Sequence, residues 1–162
     1  MCFAHVIMLS RRGDPVKHQA DSVAKYFLSS VDDEAGDSLS NLKLQKLCYY
    51  AQGCHLAAEG SAFFGETIEA WQHGPVVPDL YKIYKVYGSG PIPRDENFDP
   101  GIFSQKERDI LDEVYSSYGQ FTASRLRNMA HAERPWCEAY AKSPKSEISI
   151  GSMKEYFQTQ LV

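Results

Sequence analysis

Residues 42–87 constrain the fold of this chain more than any other part of it. The first half of the stretch, LKLQKLCYYAQGCHLAA, places apolar or aromatic side chains around most of a helical circumference. Ser40 is a suitable N-cap before it, and Gly60 is placed to end it. A helix that is apolar on most sides has to be buried on most sides. We therefore expect this helix at the centre of a helical domain, with Gly53 marking a close approach by a second helix.

Apolar residues recur at helical spacing on both sides of this segment, and start or stop residues flank most of the runs. Pro15 and Asp14 suit a helix start, Ser104 with Glu107 forms a capping box, and Thr122 and Ser149 suit N-caps. The predicted helices cover about 15–31, 40–59, 78–87, 105–118, 123–130, 135–142 and 150–157.

Short elements and loops separate these helices. Residues 67–71 alternate in polarity, which predicts a brief strand and one arm of a small hairpin. The acidic stretch 32–38 is expected to be an exposed loop, and the proline- and glycine-rich stretch 89–101 a loop or an exposed flap. The predicted fold class is mostly α: a single compact helical domain of six or seven helices with at most a small β-hairpin. We place an N-terminal arm at 1–14 and the helical domain at 15–160.

Composition limits the function classes. The chain has 162 residues and a formal net charge of −4, so bulk charge does not favour binding to nucleic acid or an anionic membrane. No apolar run approaches the roughly 18 residues that a membrane helix needs, and the order of apolar and basic residues at the N-terminus does not fit a secretory signal. We expect a soluble cytoplasmic protein.

The chain offers no residue spacing that indicates catalysis or metal binding. Its four cysteines form no C-x-x-C pair, and buried free thiols are the favoured interpretation. The five histidines show no ligand spacing, and neither a phosphate-binding loop nor a nucleophile motif is present. We therefore predict no enzyme, no metal and no cofactor. A nucleophile assembled through the fold, with Cys54, His55, His73 or His131 as members, is a distant alternative.

Candidate partner-binding residues lie in and after the turn WQHGPVVP over 71–78. Two prolines and a glycine make this turn rigid, so it suits either a structural corner beneath the central helix, which is favoured, or a binding edge. Trp136 similarly suits either a lid on the core or an interface anchor. The predicted partner-binding residues are Trp71, His73, Pro75, Val77, Tyr81, Tyr84 and Trp136.

The tyrosine-rich helix after the turn allows a further interpretation. Tyr81, Tyr84 and Tyr87 alternate with Lys82 and Lys85, and aromatic residues among basic ones serve single-stranded nucleic acid in some proteins. At helical spacing, however, the tyrosines fit the edge of a core with lysines on the solvent side. A protein partner is therefore preferred, and nucleic acid is not expected.

Four segments resemble one known family. They are SxxKLxKLxYYAQG over 40–53, IEAWxxGPVVPxxY over 68–81, LxxVYxxYG over 111–119 and HxxxPW over 131–136. Together they are similar to the Panacea domain of SocA-like and phage-associated GepA-like proteins, across nearly the whole chain. Cys54 departs from the pattern, since an aromatic residue is more frequent there in the family.

The resemblance implies an antitoxin. Panacea proteins are typically encoded beside a toxin, which they neutralise by direct protein contact. In the SocA-like branch the antitoxin is thought to deliver its toxin to the ClpXP protease. The resemblance therefore implies a cognate toxin as partner, with ClpX as a second one. A DNA-binding autoregulator, or another phage-associated regulatory protein, is the alternative, although no helix-turn-helix is evident in the sequence.

Overall fold

The computed structural model describes residues 18–161. Within that range it contains seven α-helices, one two-stranded antiparallel sheet and two short 3₁₀ turns, Lys85–Tyr87 and Pro100–Ile102. The helices are α1 Ala20–Ser29, α2 Asn41–Glu59, α3 Pro78–Tyr84, α4 Gln105–Tyr118, α5 Ala123–His131, α6 Arg134–Lys142 and α7 Ile150–Thr159. The strands are β1 Glu69–Trp71 and β2 Gly74–Val76. The predicted mostly α domain with a small hairpin is confirmed.

Helix α2 is the centre of the fold. It contacts α1, α3, α4, α5, α7 and β2, and every residue from Leu44 to Leu56 is buried. The Ser40 side chain accepts a hydrogen bond from the Lys43 amide, and Gly60 ends the helix at φ +79°. Both predicted helix ends are confirmed, and a left-handed backbone at the C-terminal end is the conformation that glycine tolerates best.

Gly53 lies where α7 crosses α2. A Cβ built on Gly53 would lie 2.2 to 2.5 Å from three ring carbons of Phe157, which is buried. The missing side chain therefore leaves room for the Phe157 ring, as the sequence predicted. The rings of Tyr49 and Tyr50 also meet Phe157 edge to face, with ring centroids 5.5 and 6.0 Å away.

The remaining helix starts follow the predicted caps. Ser104 and Glu107 form a reciprocal capping box at α4, and the side chains of Thr122 and Ser149 accept backbone hydrogen bonds at the starts of α5 and α7. Lys43 donates to the Gly119 carbonyl over 2.5 Å, which places a cation at the C-terminal end of α4. The caps fix where these helices begin, and the Lys43 contact joins α2 to the end of α4.

Two helix predictions need correction. The first helix begins at Ala20 and not at Pro15, because His18 bridges to Phe64 and Gln19 is extended at the N-cap; Pro15 itself lies outside the described residues. The third helix ends at Tyr84 and continues only as a 3₁₀ turn. The N-terminal arm at 1–14 also lies outside the described residues, and none of the helices within 18–161 is long and apolar enough to cross a membrane.

The loop 89–101 is tied to the rest of the domain at several points. Arg94 donates to the Val31 carbonyl over 2.8 Å, and Asp95 pairs with Lys25 at 3.3 Å. Ile92 is buried, and its amide donates to the Leu39 carbonyl over 2.9 Å. Most of its other residues are exposed. The stretch is therefore a loop, as predicted, anchored beside the start of α2.

A candidate partner-binding groove

The hairpin β1–β2 is held on both sides by other parts of the chain. On the outer side of β1, Ala70 donates to the Ser146 carbonyl and accepts from the Lys145 amide, each over 2.8 Å. The Ile148 amide donates to Ile68 over 2.8 Å, which extends the same pairing. The free edge of β1 is thereby occupied.

Side chains of α2 bind the other edge of the hairpin. The Val77 amide donates to Gln45 Oε1 over 2.9 Å, and Lys46 Nζ donates to the Pro75 carbonyl over 3.1 Å. Gln45 Nε2 in turn donates to Asn41 Oδ1 over 2.9 Å. All three polar side chains are buried. Because both edges are used internally, a partner strand has little backbone left to pair with here.

Lys46 is an unusual member of this set because it is fully buried. Burial lowers its pKa to about 7, and the positive charge of Arg127 acts in the same direction. Gly74, at φ +105°, makes room for it: a Cβ there would lie 2.6 Å from Lys46 Cε. The hairpin is therefore shaped around the lysine side chain.

A groove of about 660 Å³ opens beside the hairpin, between the start of α2, the helix α3 and the first residue of α5. We call it the hairpin groove. Its lining residues are Ser40, Asn41, Leu42, Gln45, Trp71, Gln72, His73, Val76, Tyr81, Lys85, Gly88, Ser89, Ala123 and Lys145.

Two aromatic rings form the floor of the hairpin groove. The ring centroids of Trp71 and Tyr81 lie 5.1 Å apart with their planes tilted by 58°. Lys145 Nζ lies 4.7 Å from the Trp71 ring centroid, within the range of a cation–π contact. Trp71 Nε1 donates to Glu69 Oε2 over 2.6 Å, which fixes the ring orientation.

Lys145 has a strained backbone. Its φ of +67° lies in the left-handed region, which side chains other than glycine rarely adopt. The hydrogen bond from its amide to Ala70 holds that conformation, and its side chain is placed over the groove floor. Strain of this kind is concentrated at functional sites, so the position favours a role in binding.

Apart from the phenol of Tyr81, every titratable side chain in the lining is basic. They are His73, Lys85 and Lys145, all of them exposed, and no carboxylate is among the described lining residues. For a chain whose net charge is −4, this is a local reversal of sign. These basic side chains favour anionic groups, although the Glu69 carboxylate that accepts from Trp71 Nε1 lies beside the floor.

Trp136 supports the groove from behind. Its Nε1 donates to the Trp71 carbonyl over 2.9 Å, and its ring stacks on His131 and Tyr140 with centroids 4.1 and 4.6 Å away. Burial lowers the pKa of His131, and the nearby charges of Arg127 and Lys46 add to that effect. A neutral His131 is therefore the form that packs on Trp136 near neutral pH.

The seven predicted partner-binding residues fall into three groups. Trp71, His73 and Tyr81 line the hairpin groove, and Trp136 lies directly behind it. The buried ones are Pro75, Val77 and Tyr84. The hydroxyl of Tyr84 donates to Asp21 over 2.6 Å, so it faces α1. A partner-binding role therefore stays a prediction for all seven residues. The burial of Pro75, Val77 and Tyr84 leaves them little surface for direct contact with a partner.

Sequence reasoning missed Leu42 and Lys145 as groove residues. Leu42 was assigned to the core because it lies in an apolar helix, but 36% of it is exposed. The sequence around Lys145 is typical of a polar loop and does not indicate a binding residue. Lys145 reaches Trp71 only because that loop pairs with β1. The sequence places Lys85 on the solvent side of the tyrosine-rich helix but does not predict that it lines a groove.

The expectations for the cysteines and for metal ligands can also be compared with the structure. Cys48 and Cys54 are buried, as predicted, and burial raises the pKa of the Cys48 thiol. Cys137 is exposed, so the expectation of a buried thiol is wrong there, because that face of α6 points to solvent. Among residues 18–161, no three His, Cys, Asp or Glu side chains lie close enough together to hold a metal ion.

Comparison with known proteins identifies the family. Residues 44–137 match the family model described as antitoxin SocA-like, Panacea domain. The chain is also 31% identical over 159 residues to Antitoxin SocA of Caulobacter vibrioides (strain NA1000 / CB15N), an alignment that covers 85% of this chain and 78% of that protein. This chain belongs to the SocA-like Panacea family. No solved structure gives a significant match.

The Panacea match covers most of the hairpin groove. It includes nearly all of α2, the hairpin, α3, α4 and α5, and it ends in the first turn of α6. The first turn of α2 and Lys145 lie outside the matched residues. The polar side chains that hold the hairpin, Gln45 and Lys46, lie within them.

Proposed function

We propose that this protein is an antitoxin that neutralises a cognate toxin by direct protein contact. The observation that carries the proposal is the 31% identity to Antitoxin SocA over most of both chains. The hairpin groove supports it, because it is a preformed concave surface with the exposed Tyr81 ring and the partly buried Trp71 ring on its floor, the kind of surface that anchors protein partners.

Co-expression with the product of the adjacent gene tests the proposal. That product is expected to arrest growth when expressed alone, and this protein is expected to restore growth and to co-purify with it. If this protein accumulates in soluble form and growth stays arrested by a product that is toxic, the antitoxin function is excluded for that pair.

We further propose that neutralisation proceeds by delivery of the toxin to the ClpXP protease. This step rests on the resemblance to the SocA-like branch. An adaptor needs a second surface for the protease, and residues 1–12 are the candidate because they precede the helical domain. Deleting residues 1–12 is therefore expected to spare toxin binding and to stop toxin turnover.

Purified components separate delivery from masking. With ClpXP and ATP, the full chain is expected to accelerate toxin degradation, and the shortened chain is expected to bind the toxin without accelerating it. Unchanged toxin levels with the full chain would leave masking as the mechanism. Equal acceleration by both chains would exclude residues 1–12 as the protease-binding segment.

DNA binding, the alternative function, has weaker support. Helices α5 and α6 are joined by a short turn, but Arg134 at the start of α6 pairs with Glu138 and Glu155 at 3.3 and 3.1 Å. Both pairs lie on the surface, and they reduce but do not remove the charge that Arg134 offers to phosphate. A steep salt-dependent mobility shift with the protein's own promoter DNA would favour this alternative.

A further inference from the structure

We infer that the hairpin groove binds an acidic, extended segment of the partner protein, with an apolar side chain on the Trp71–Tyr81 floor and carboxylates against Lys85 and Lys145. The inference rests on the proposed antitoxin function, since it names the surface and the chemistry through which the toxin would be held.

Charge complementarity identifies the sign of the occupant. His73, Lys85 and Lys145 line the hairpin groove, and no carboxylate is among its described lining residues. Lys85 and Lys145 are both exposed, and no ion pair ties either of them within the described part of the chain. Their charges are therefore available to carboxylates of a partner, and such pairs contribute to specificity and association rate.

The floor determines the apolar part of the occupant. Tyr81 and Leu42 are 37% and 36% exposed, and Trp71 is partly buried beside them. Large apolar groups left open in a concave site contribute most of the binding energy when a partner side chain covers them. The basic lining residues His73, Lys85 and Lys145 form what we call the rim. An acidic segment that carries one apolar or aromatic side chain matches both the floor and this rim.

The geometry favours a peptide held by its side chains. Strand addition is disfavoured because Ser146, Lys145, Gln45 and Lys46 already bond to both edges of the hairpin. Stacking of a nucleobase is disfavoured because the Lys145 ammonium lies over the Trp71 ring and the Tyr81 ring is tilted against it. No parallel slot for a base is formed between the two rings.

A second copy of this chain is a poorer fit. Its acidic loop, residues 32–37, is exposed and would satisfy the rim. That loop carries only Ala35 as an apolar side chain, which leaves the aromatic floor uncovered. The partner is therefore expected to be a different protein.

Binding of a defined polymer tests the groove chemistry. The probe is a random copolymer of L-glutamate and L-tyrosine, followed through the tryptophan fluorescence of the full chain. The test variant is K85E/K145E, and the matched control is K82E/K142E, which makes the same charge change at exposed lysines outside the lining. We expect about tenfold weaker binding by K85E/K145E than by the control. Equal weakening by both variants would overturn the inference, since it would reflect net charge alone.

A second variant tests the floor without changing charge. Tyr81→Ala is expected to weaken copolymer binding while leaving its salt dependence close to that of the parent chain, because the rim lysines remain. Unchanged affinity would overturn the proposed floor. Circular dichroism and thermal unfolding show whether each variant is folded, and the exposure of all the altered side chains predicts that it is.

Protection of toxin-expressing cells connects the groove to the function. If the parent chain protects, K82E/K142E is expected to protect and K85E/K145E to fail. If the parent chain and K85E/K145E protect equally, the groove inference is overturned and the antitoxin function stands. If the parent chain does not protect the cells, the proposed antitoxin function is excluded, regardless of whether the copolymer binds.

Two competing occupants are tested directly. An oligodeoxythymidine that displaces the copolymer and binds more tightly would overturn the inference in favour of nucleic acid. Dimers in sedimentation velocity that K85E/K145E abolishes would overturn it in favour of a second copy. A chain that is monomeric, binds the copolymer and does not bind the oligonucleotide supports the inference.

Discussion

The ammonium group of Lys46 donates a hydrogen bond to the Pro75 carbonyl oxygen over 3.1 Å from a fully buried position. This contact ties the central helix to the hairpin that forms one wall of the groove. It also places an ionisable group where its charged form is disfavoured, since burial lowers its pKa to about 7. Lys46 therefore positions the hairpin against α2, but its burial lowers the stability of the folded chain near neutral pH.

The pH dependence of stability follows from this pKa. Above about pH 7 the folded chain has lost the Lys46 proton, whereas the unfolded chain keeps it up to its ordinary pKa near 10.5. The unfolded state then binds more protons, so stability rises with pH by about 1.4 kcal/mol per unit in that window. We expect a gain on the order of 4 kcal/mol between about pH 7 and pH 10 from this residue.

Lys46→Met isolates the effect. The variant has no proton to lose, so it is expected to lack the rise in free energy of unfolding that the parent shows between about pH 7 and pH 10. Loss of the hydrogen bond to the Pro75 carbonyl shifts its whole curve downward but does not change its slope. Urea unfolding at a series of pH values measures both curves. Parallel curves for the two chains would show that Lys46 keeps its ordinary pKa in the folded state.

Gly53→Ala is expected to destabilise the protein by about 1–3 kcal/mol, although alanine is the better helix former. The new methyl group would overlap the ring of Phe157, which is held between Tyr49 and Tyr50. Chemical denaturation measures the change.

Gly151→Ala is the matched control in α7. No atom lies within 4 Å of a Cβ placed there, and the position is exposed. It is expected to stabilise the protein by about 0.5–1 kcal/mol through helix propensity. If both alanine variants were stabilising, the close crossing of α2 and α7 would be refuted.

Gln52→Leu is expected to cost about 2–4 kcal/mol because it leaves buried backbone groups without partners. Gln52 Oε1 accepts from the amides of Phe63 and Phe64 over 2.7 and 3.2 Å, and its Nε2 donates to the Phe64 carbonyl over 2.8 Å. Thermal and urea unfolding measure the loss. Gln158→Leu, at an exposed position of α7, is expected to change stability by less than about 0.5 kcal/mol. Similar effects at the two sites would contradict the role of Gln52.

Thiol reactivity tests the placement of the cysteines. In a Cys2→Ser background, a disulfide reagent such as Ellman's is expected to modify Cys137 in the folded protein and to reach Cys48 and Cys54 only in denaturant. The reason is that the thiolate is the reactive form, and burial both raises the pKa of Cys48 and blocks access. Rapid reaction of all three thiols in the native protein would contradict the buried position of α2.

The helical fold could be predicted largely because its signals are local. Ser40, Ser104, Thr122 and Ser149 are caps whose side chains reach only their own first turn, so the sequence alone reveals them. The start of the first helix was wrong because the bridge of His18 to Phe64 is a tertiary contact that opposes the local helical pattern.

Only some of the residues that line the groove could be predicted from the sequence. Trp71, His73 and Tyr81 are close together along the chain, and their residue types marked them as binding candidates. Tyr84 and Val77 looked equivalent to them, because which side of a short element is buried depends on neighbours that come from elsewhere in the chain. Lys145 reaches Trp71 only through its backbone pairing with Ala70, which no local pattern encodes.

The crossing of Gly53 and Phe157 has a consequence for synthesis in the cell. Helix α2 is made about a hundred residues before α7, so for several seconds of translation its tyrosine-rich face has no final partner. A chain interrupted in that interval lacks the Phe157 ring that packs on Tyr49 and Tyr50, although Tyr118 of α4 can already stack on Tyr50. Only chains that include α7 cover that face, so a chain that stops before α7 is expected to be less stable than the full chain.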